Sequence, residues 1–210
     1  FILQKLDHPN IIKSFELCKV LIKDEDEDLE IEKFSPFITM EYFPSNLLLN
    51  YSGLKDEKKL NSIIKQICSV LYYLHQTNYI YYDLKAENIL VSETNGNPVI
   101  KIIDLGLARY TMSEYEKEIQ GTAFYIAPEL LKNEQHNYRV DFYSLGILLY
   151  RIVYGSFPFV GENEIEIYKA HIEEDFELGP SNYSDSLIKV ISKLIKKNPE
   201  ERYENALQII

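Results

Sequence analysis

Between residues 55 and 77 the apolar positions Leu60, Ile63, Ile64, Ile67, Val70, Leu71 and Leu74 recur at helical spacing. That pattern predicts one long helix with a single core-facing stripe, closed by His75-Gln76-Thr77-Asn78. Upstream, Phe1, Ile2, Leu3 and Leu6 read as the end of another helix. It stops at Asp7-His8-Pro9-Asn10, because Pro9 lacks an N–H and disfavours helical geometry at His8. Two strand-like runs follow, over residues 11–22 and 37–42, parted by the acidic stretch Asp24-Glu25-Asp26-Glu27-Asp28 with Glu30 and Glu32, read as a solvated loop. Downstream of the long helix, β-rich runs at 89–91 and 99–103 flank Asn95-Gly96-Asn97-Pro98, which predicts a hairpin. After a polar, irregular stretch the chain turns helical over 141–154, 165–172 and 187–196, with a last turn near 206–210 and a break at Gly155-Ser156-Phe157-Pro158-Phe159. Early strands and later helices make an α+β protein, and no internal repeat is found.

Composition narrows the classes. At 210 residues, 46% hydrophobic and 26% charged, the chain has the make-up of a globular protein with room for a substantial core. A net charge of −11 argues against non-specific binding to nucleic acid or to an anionic membrane. The longest apolar run, residues 142–154, is too short to span a bilayer and carries Arg151. Phe1 opens directly into an amphipathic pattern with no charged leader, and Cys18 and Cys68 lie apart with no metal-ligand spacing. Both features suit an intracellular, reducing setting.

Three short stretches carry chemistry. Tyr81-Tyr82-Asp83-Leu84-Lys85-Ala86-Glu87-Asn88 lies between the long helix and the hairpin, where a loop can aim a carboxylate, an ammonium and an amide into one cleft. Asp104-Leu105-Gly106 follows the second hairpin strand, and Gly121-Thr122-Ala123-Phe124-Tyr125-Ile126-Ala127-Pro128-Glu129 follows the irregular stretch. In this order and spacing they resemble the catalytic loop, metal-binding triplet and activation-segment end of a eukaryotic Ser/Thr protein kinase.

The resemblance implies a kinase-like fold: residues 1–43 as a remnant of the small lobe, and 44–210 as the mostly helical large lobe. It implies an ATP-dependent transferase acting on a Ser or Thr hydroxyl of a protein substrate, with Mg²⁺. Asp83 and Lys85 take the catalytic roles, and Asn88 and Asp104 the metal-ligand roles. Nucleotide contacts fall on Glu41, Phe43, Lys85, Glu87, Asn88, Leu90 and Asp104, with Met40 as gatekeeper. Gly106 corresponds to the sharp turn after the metal ligand. Thr122 is implied to bridge Asp83 and Lys85, Glu129 to pair with Arg202, and Asp141 to hold the catalytic-loop backbone. Glu87 matches a position that attracts basic substrate residues, but Leu47 and Arg151 stand where further acidic residues would reinforce that preference. The segment 121–129 most resembles the calcium- or calmodulin-regulated branch.

Departures from the family pattern matter too. Tyr81-Tyr82 replaces the usual His-Arg, so Tyr82 cannot supply the arginine that clamps a phosphate on the activation segment. The usual phosphothreonine position falls on Glu118, already negative, which implies a segment not switched by phosphorylation there. Leu105 replaces the middle Phe of the triplet. No Gly-rich phosphate loop or strand Lys stands in these 210 residues. The resemblance therefore implies a partial catalytic domain, with weak ATP binding and little turnover of its own. Two other readings stand beside the kinase: a catalytically inactive kinase-like interaction module, and a small-molecule phosphotransferase of related fold.

Overall fold

The computed structural model describes residues 5–22, 33–111 and 121–209. Most of the helix remnant with Leu3, the acidic stretch and Glu118 lie outside the described residues. The architecture is α+β, a β-rich first part followed by a larger helical one.

Strands β1 (Ser14–Ile22) and β2 (Lys33–Met40) form an antiparallel ribbon, with Ser14 opposite Met40. Ile11 lies outside β1 and makes a parallel bridge to Ile102 instead. Asn10 locks that crossing, donating from Nδ2 to Gln66 Oε1 (2.8 Å) and to the Ile100 carbonyl (3.0 Å).

A short strand β3 (Asn46–Leu47) leads to helix α1 (Glu57–Gln76). Asp56 caps α1, accepting from Lys58 N at 2.9 Å and thereby satisfying an otherwise orphaned donor. All seven stripe residues of α1 named above are buried. Strand β4 (Tyr79–Ile80) follows, then the hairpin β5 (Ile89–Thr94) and β6 (Asn97–Ile102), then β7 (Arg109–Tyr110). β5 sits between β3 and β6, while β4 pairs with β7.

The hairpin turns through Asn95 (φ 51°) and Gly96 (φ 78°), two successive left-handed residues that match the right-handed twist of the flanking strands. Its register runs unbroken from Thr94 opposite Asn97 to Ile89 opposite Ile102. The open end of the ladder consequently brings residue 88 beside residue 103.

The helical part comprises α2 (Pro128–Leu131), α3 (Arg139–Tyr154), α4 (Glu164–Glu173) and α5 (Asp185–Leu194), ending in a 3₁₀ turn at Ala206–Ile209. Ten successive residues of α3, from Val140 to Leu149, are buried, so this helix is the axis around which the others pack. Gly146 makes the α3–α5 contact possible: a Cβ there would lie 2.7 Å from Leu194 Cβ. Gly155 ends α3 in the left-handed conformation, φ 75°. Among the described residues no helix is long and apolar enough to cross a membrane.

Candidate active site

Asp141, at the start of α3 and without solvent exposure, organises the loop that leaves β4. Its Oδ2 accepts from Tyr81 N (3.0 Å) and pairs with His75 Nε2 (2.8 Å), while Oδ1 accepts from Tyr82 N (2.9 Å). The anchoring has a cost to offset, since Tyr82 is left-handed at φ 64°, a conformation that costs an L-residue about 1–2 kcal/mol. The bent backbone then delivers the next side chain, Asp83, inward.

Asp83 is buried, and both its oxygens are engaged. Oδ1 accepts from Thr122 Oγ1 at 2.8 Å; Oδ2 accepts from Asn88 Nδ2 at 2.9 Å and pairs with Lys85 Nζ at 2.8 Å. Lys85 Nζ also donates to Thr122 Oγ1 at 2.9 Å, closing a ring of carboxylate, ammonium and hydroxyl. The second Asn88 contact is a donation from Nδ2 to the Asp83 carbonyl, 3.0 Å. With its NH₂ spent on Asp83, Asn88 has its amide oxygen as the remaining acceptor.

Gly121 lets the two segments meet. Its φ is 118°, and a Cβ there would sit 2.9 Å from the Tyr82 carbonyl.

Asp104 stands one residue past the Ile103 N to Asn88 O hydrogen bond (3.1 Å), so the hairpin itself sets Asn88 and Asp104 side by side. Asp104 is exposed, and its Oδ1 accepts from Gly106 N at 2.8 Å. Gly106 does not adopt the left-handed backbone, and a Cβ there would lie 3.0 Å from Asp104 Oδ1, the end of a side chain that can shift by a few tenths of an ångström. Leu105 is fully buried and fills its apolar slot. Tyr81 is equally buried, its hydroxyl near Asn88 without a normal hydrogen bond among the described residues. Burial, reinforced by the Asp83 charge, holds that hydroxyl neutral by pushing its pKa well above the ordinary value.

On the opposite side, Met40 ends β2 and Glu41 follows it. Glu41 N donates to Lys13 O (2.8 Å), while its carboxylate accepts from Lys101 Nζ (2.5 Å) and Lys13 N (2.8 Å). Partial burial works to raise the Glu41 pKa, but these donors overcome it and hold it below the ordinary value. The Lys101–Glu41 pair ties β6 to the segment after β2, a link that residue spacing does not reveal. Leu90 is half-buried on β5 opposite Leu47. The Glu87 carboxylate does not face this cluster; it pairs with Arg151 Nη1 at 2.8 Å.

Behind the site, Glu129 and Arg202 meet as a buried two-bond pair, Nη1–Oε1 2.6 Å and Nη2–Oε2 2.8 Å. Arg202 spends its other donors on the carbonyls of Lys196, Arg139 and Lys197. Tyr82 reaches His136 through a 2.9 Å hydrogen bond, a contact the motif pattern does not suggest.

The model of the protein kinase domain matches residues 1–209. The chain belongs to the protein kinase domain family. Among its relatives, the serine/threonine-protein kinase PknB of Mycobacterium leprae is 32% identical over 97% of this chain and 33% of its own length. The calcium-dependent protein kinase 5 of Plasmodium falciparum is 34% identical over 97% of this chain and 35% of its own length. A probable myosin light chain kinase of Dictyostelium discoideum is 32% identical, over 96% and 40%. The chain thus spans well under half the length of these curated relatives. Near-equal identity to a bacterial and a calcium-dependent kinase domain does not single out a calcium-regulated branch. ATP binding is what membership of the protein kinase domain family implies.

Proposed function

We propose that this domain transfers the γ-phosphoryl group of ATP to a Ser or Thr hydroxyl of a protein substrate. The observation that carries the reading is the ring around Asp83. Phosphoryl transfer asks little covalent chemistry of a protein, and chiefly needs the nucleophile positioned and the phosphate charge offset. In this reading Asp83 orients the acceptor hydroxyl and takes its proton. Lys85, already within reach of the same oxygen, holds the transferring phosphate, and Thr122 keeps the two at fixed separation. Glu41, through its carbonyl, and Phe43, through its N–H, receive the adenine against Met40 and Leu90, with the backbone at Glu87 beside the sugar.

Asn88 and Asp104 fit a magnesium ion as hard oxygen donors set adjacent by the hairpin. Among the described residues no three His, Cys, Asp or Glu side chains converge on a metal site. Mg²⁺ needs no such cage, being commonly held by one or two protein oxygens together with substrate phosphates and water. Bound there, it would neutralise phosphate charge.

The test is a radiolabelled-ATP assay on the full-length protein and its Asp83→Asn variant with Ser, Thr and Tyr peptides. Loss of a general base lowers kcat by about 10²–10⁴-fold, with melting temperature and ATP affinity preserved. Turnover unaffected by the variant overturns the assignment of Asp83. No turnover of any peptide by the wild type leaves the inactive interaction module as the better reading.

A further inference from the structure

A second charged cluster lies against the site and takes no part in the proposed chemistry. Glu87 stands in the 3₁₀ turn Ala86–Asn88, between Lys85 and Asn88. Its carboxylate is half exposed, and it is already occupied: Arg151, from the last turn of α3, donates from Nη1 to Glu87 Oε1 at 2.8 Å. The same Nη1 donates to Tyr125 Oη at 2.7 Å, and the guanidinium carbon lies 4.6 Å from the centre of the Phe157 ring. Phe157 in turn stacks on Phe124 at 4.4 Å and 13°. Phe124 and Tyr125 belong to the turn that directly follows Thr122. One wall beside Lys85 and Thr122 is therefore built from a carboxylate, a phenol and two stacked rings around a single guanidinium.

We propose that Arg151 is a specificity-determining residue: it fills the Glu87 carboxylate from within the domain, so that this wall does not recognise a basic residue of a polypeptide substrate. The proposal rests on the phosphoryl-transfer reading only for where a peptide lies. Its physical basis is competition. A free Glu87 would offer an incoming Arg a charge-assisted hydrogen bond beside a phenol and an aromatic face. Arg151 already makes all three contacts and is tethered to α3, so it competes at a high effective concentration. The pair is also neutral in sum, which removes the field that would otherwise draw cations to this wall.

The experiment uses the full-length protein, its Arg151→Met variant, which keeps the apolar stem, and the double variant R151M/E87Q. A Ser peptide carries one Arg, walked position by position on either side of the Ser, and each is compared with its Ala counterpart. Turnover is read as kcat/KM, and binding independently by fluorescence anisotropy of the labelled peptides. Wild type is expected to treat Arg and Ala alike. R151M is expected to prefer Arg about tenfold or more at its best position, the factor a charged hydrogen bond supplies, and R151M/E87Q to lose that preference. A tenfold Arg preference in wild type, or no Arg-over-Ala difference in R151M by either readout, overturns the proposal. If binding shifts as expected while no peptide is phosphorylated, the phosphoryl-transfer reading falls and the role of Arg151 stands.

Discussion

Thr122 carries no charge, yet it is the residue on which the Asp83–Lys85 geometry turns. Its hydroxyl donates to Asp83 Oδ1 and accepts from Lys85 Nζ, so one oxygen sets the separation of two charged groups. Thr122→Val removes both bonds without changing shape; since a hydrogen bond to a charged group contributes about 1.5–3 kcal/mol, kcat should fall roughly 10–100-fold. Thr122→Ser should recover most of the loss, and a kcat equal to wild type in the valine variant would dismiss the role. A second residue-scale effect concerns acid stability. His171 is fully buried, with Nδ1 hydrogen-bonded to the Tyr143 hydroxyl at 2.8 Å. Burial, helped by the nearby Lys197 charge, lowers its pKa to about 3. The unfolded chain then binds a proton near pH 6.5 that the folded chain refuses until about pH 3. Its contribution to stability is complete above pH 6.5 and is lost as pH falls from there toward 3, up to about 3 kcal/mol at pH 4. Urea unfolding at pH 7 and pH 4 should show a smaller pH difference in His171→Gln than in wild type.

At the scale of elements, packing distances decide what each helix tolerates. α1 is amphipathic and could be read from spacing alone; α3 could not be oriented that way, because it is buried on all sides along most of its length. Gly146 marks where α3 and α5 come closest, with Leu194 Cβ and Ile195 Cγ1 both 2.7 Å from any added Cβ. Gly146→Val must push the helices apart, and overpacking of this kind costs about 1–3 kcal/mol. A urea midpoint unchanged by that substitution would show that α5 moves freely. The two-residue ladders β3–β5 and β4–β7 leave no mark in the sequence pattern, since two residues are too few to establish a period. Both matter for position: β4–β7 brings the chain beyond Asp104 back to the base of the loop that holds Asp83.

Across the whole molecule, the Glu129–Arg202 pair ties the segment after Thr122 to the far end of the chain, with neither partner exposed beyond 3%. Removing one member strands a buried charge, so Arg202→Met should cost about 3–5 kcal/mol in equilibrium unfolding, while replacing both partners by apolar residues of similar volume should cost far less. Equal losses in the single and double variants would show that packing and not the unpaired charge sets the penalty. What the sequence by itself determined is the local part: the stripe of α1 and the Asn95-Gly96 turn, whose register carries through to the backbone bond between residues 88 and 103. Those follow from short-range sterics and alternation, which are complete within a few residues. The meeting of Asp83 with Thr122, of Glu87 with Arg151 and of Glu129 with Arg202 joins positions 39, 64 and 73 residues apart. The spacing of those residues carries no distance information, and motif resemblance can name only pairs that the family also uses. The resemblance implies only that Arg151 stands near Glu87; its bond to the carboxylate is decided by the helix packing around α3, which sets where each loop ends.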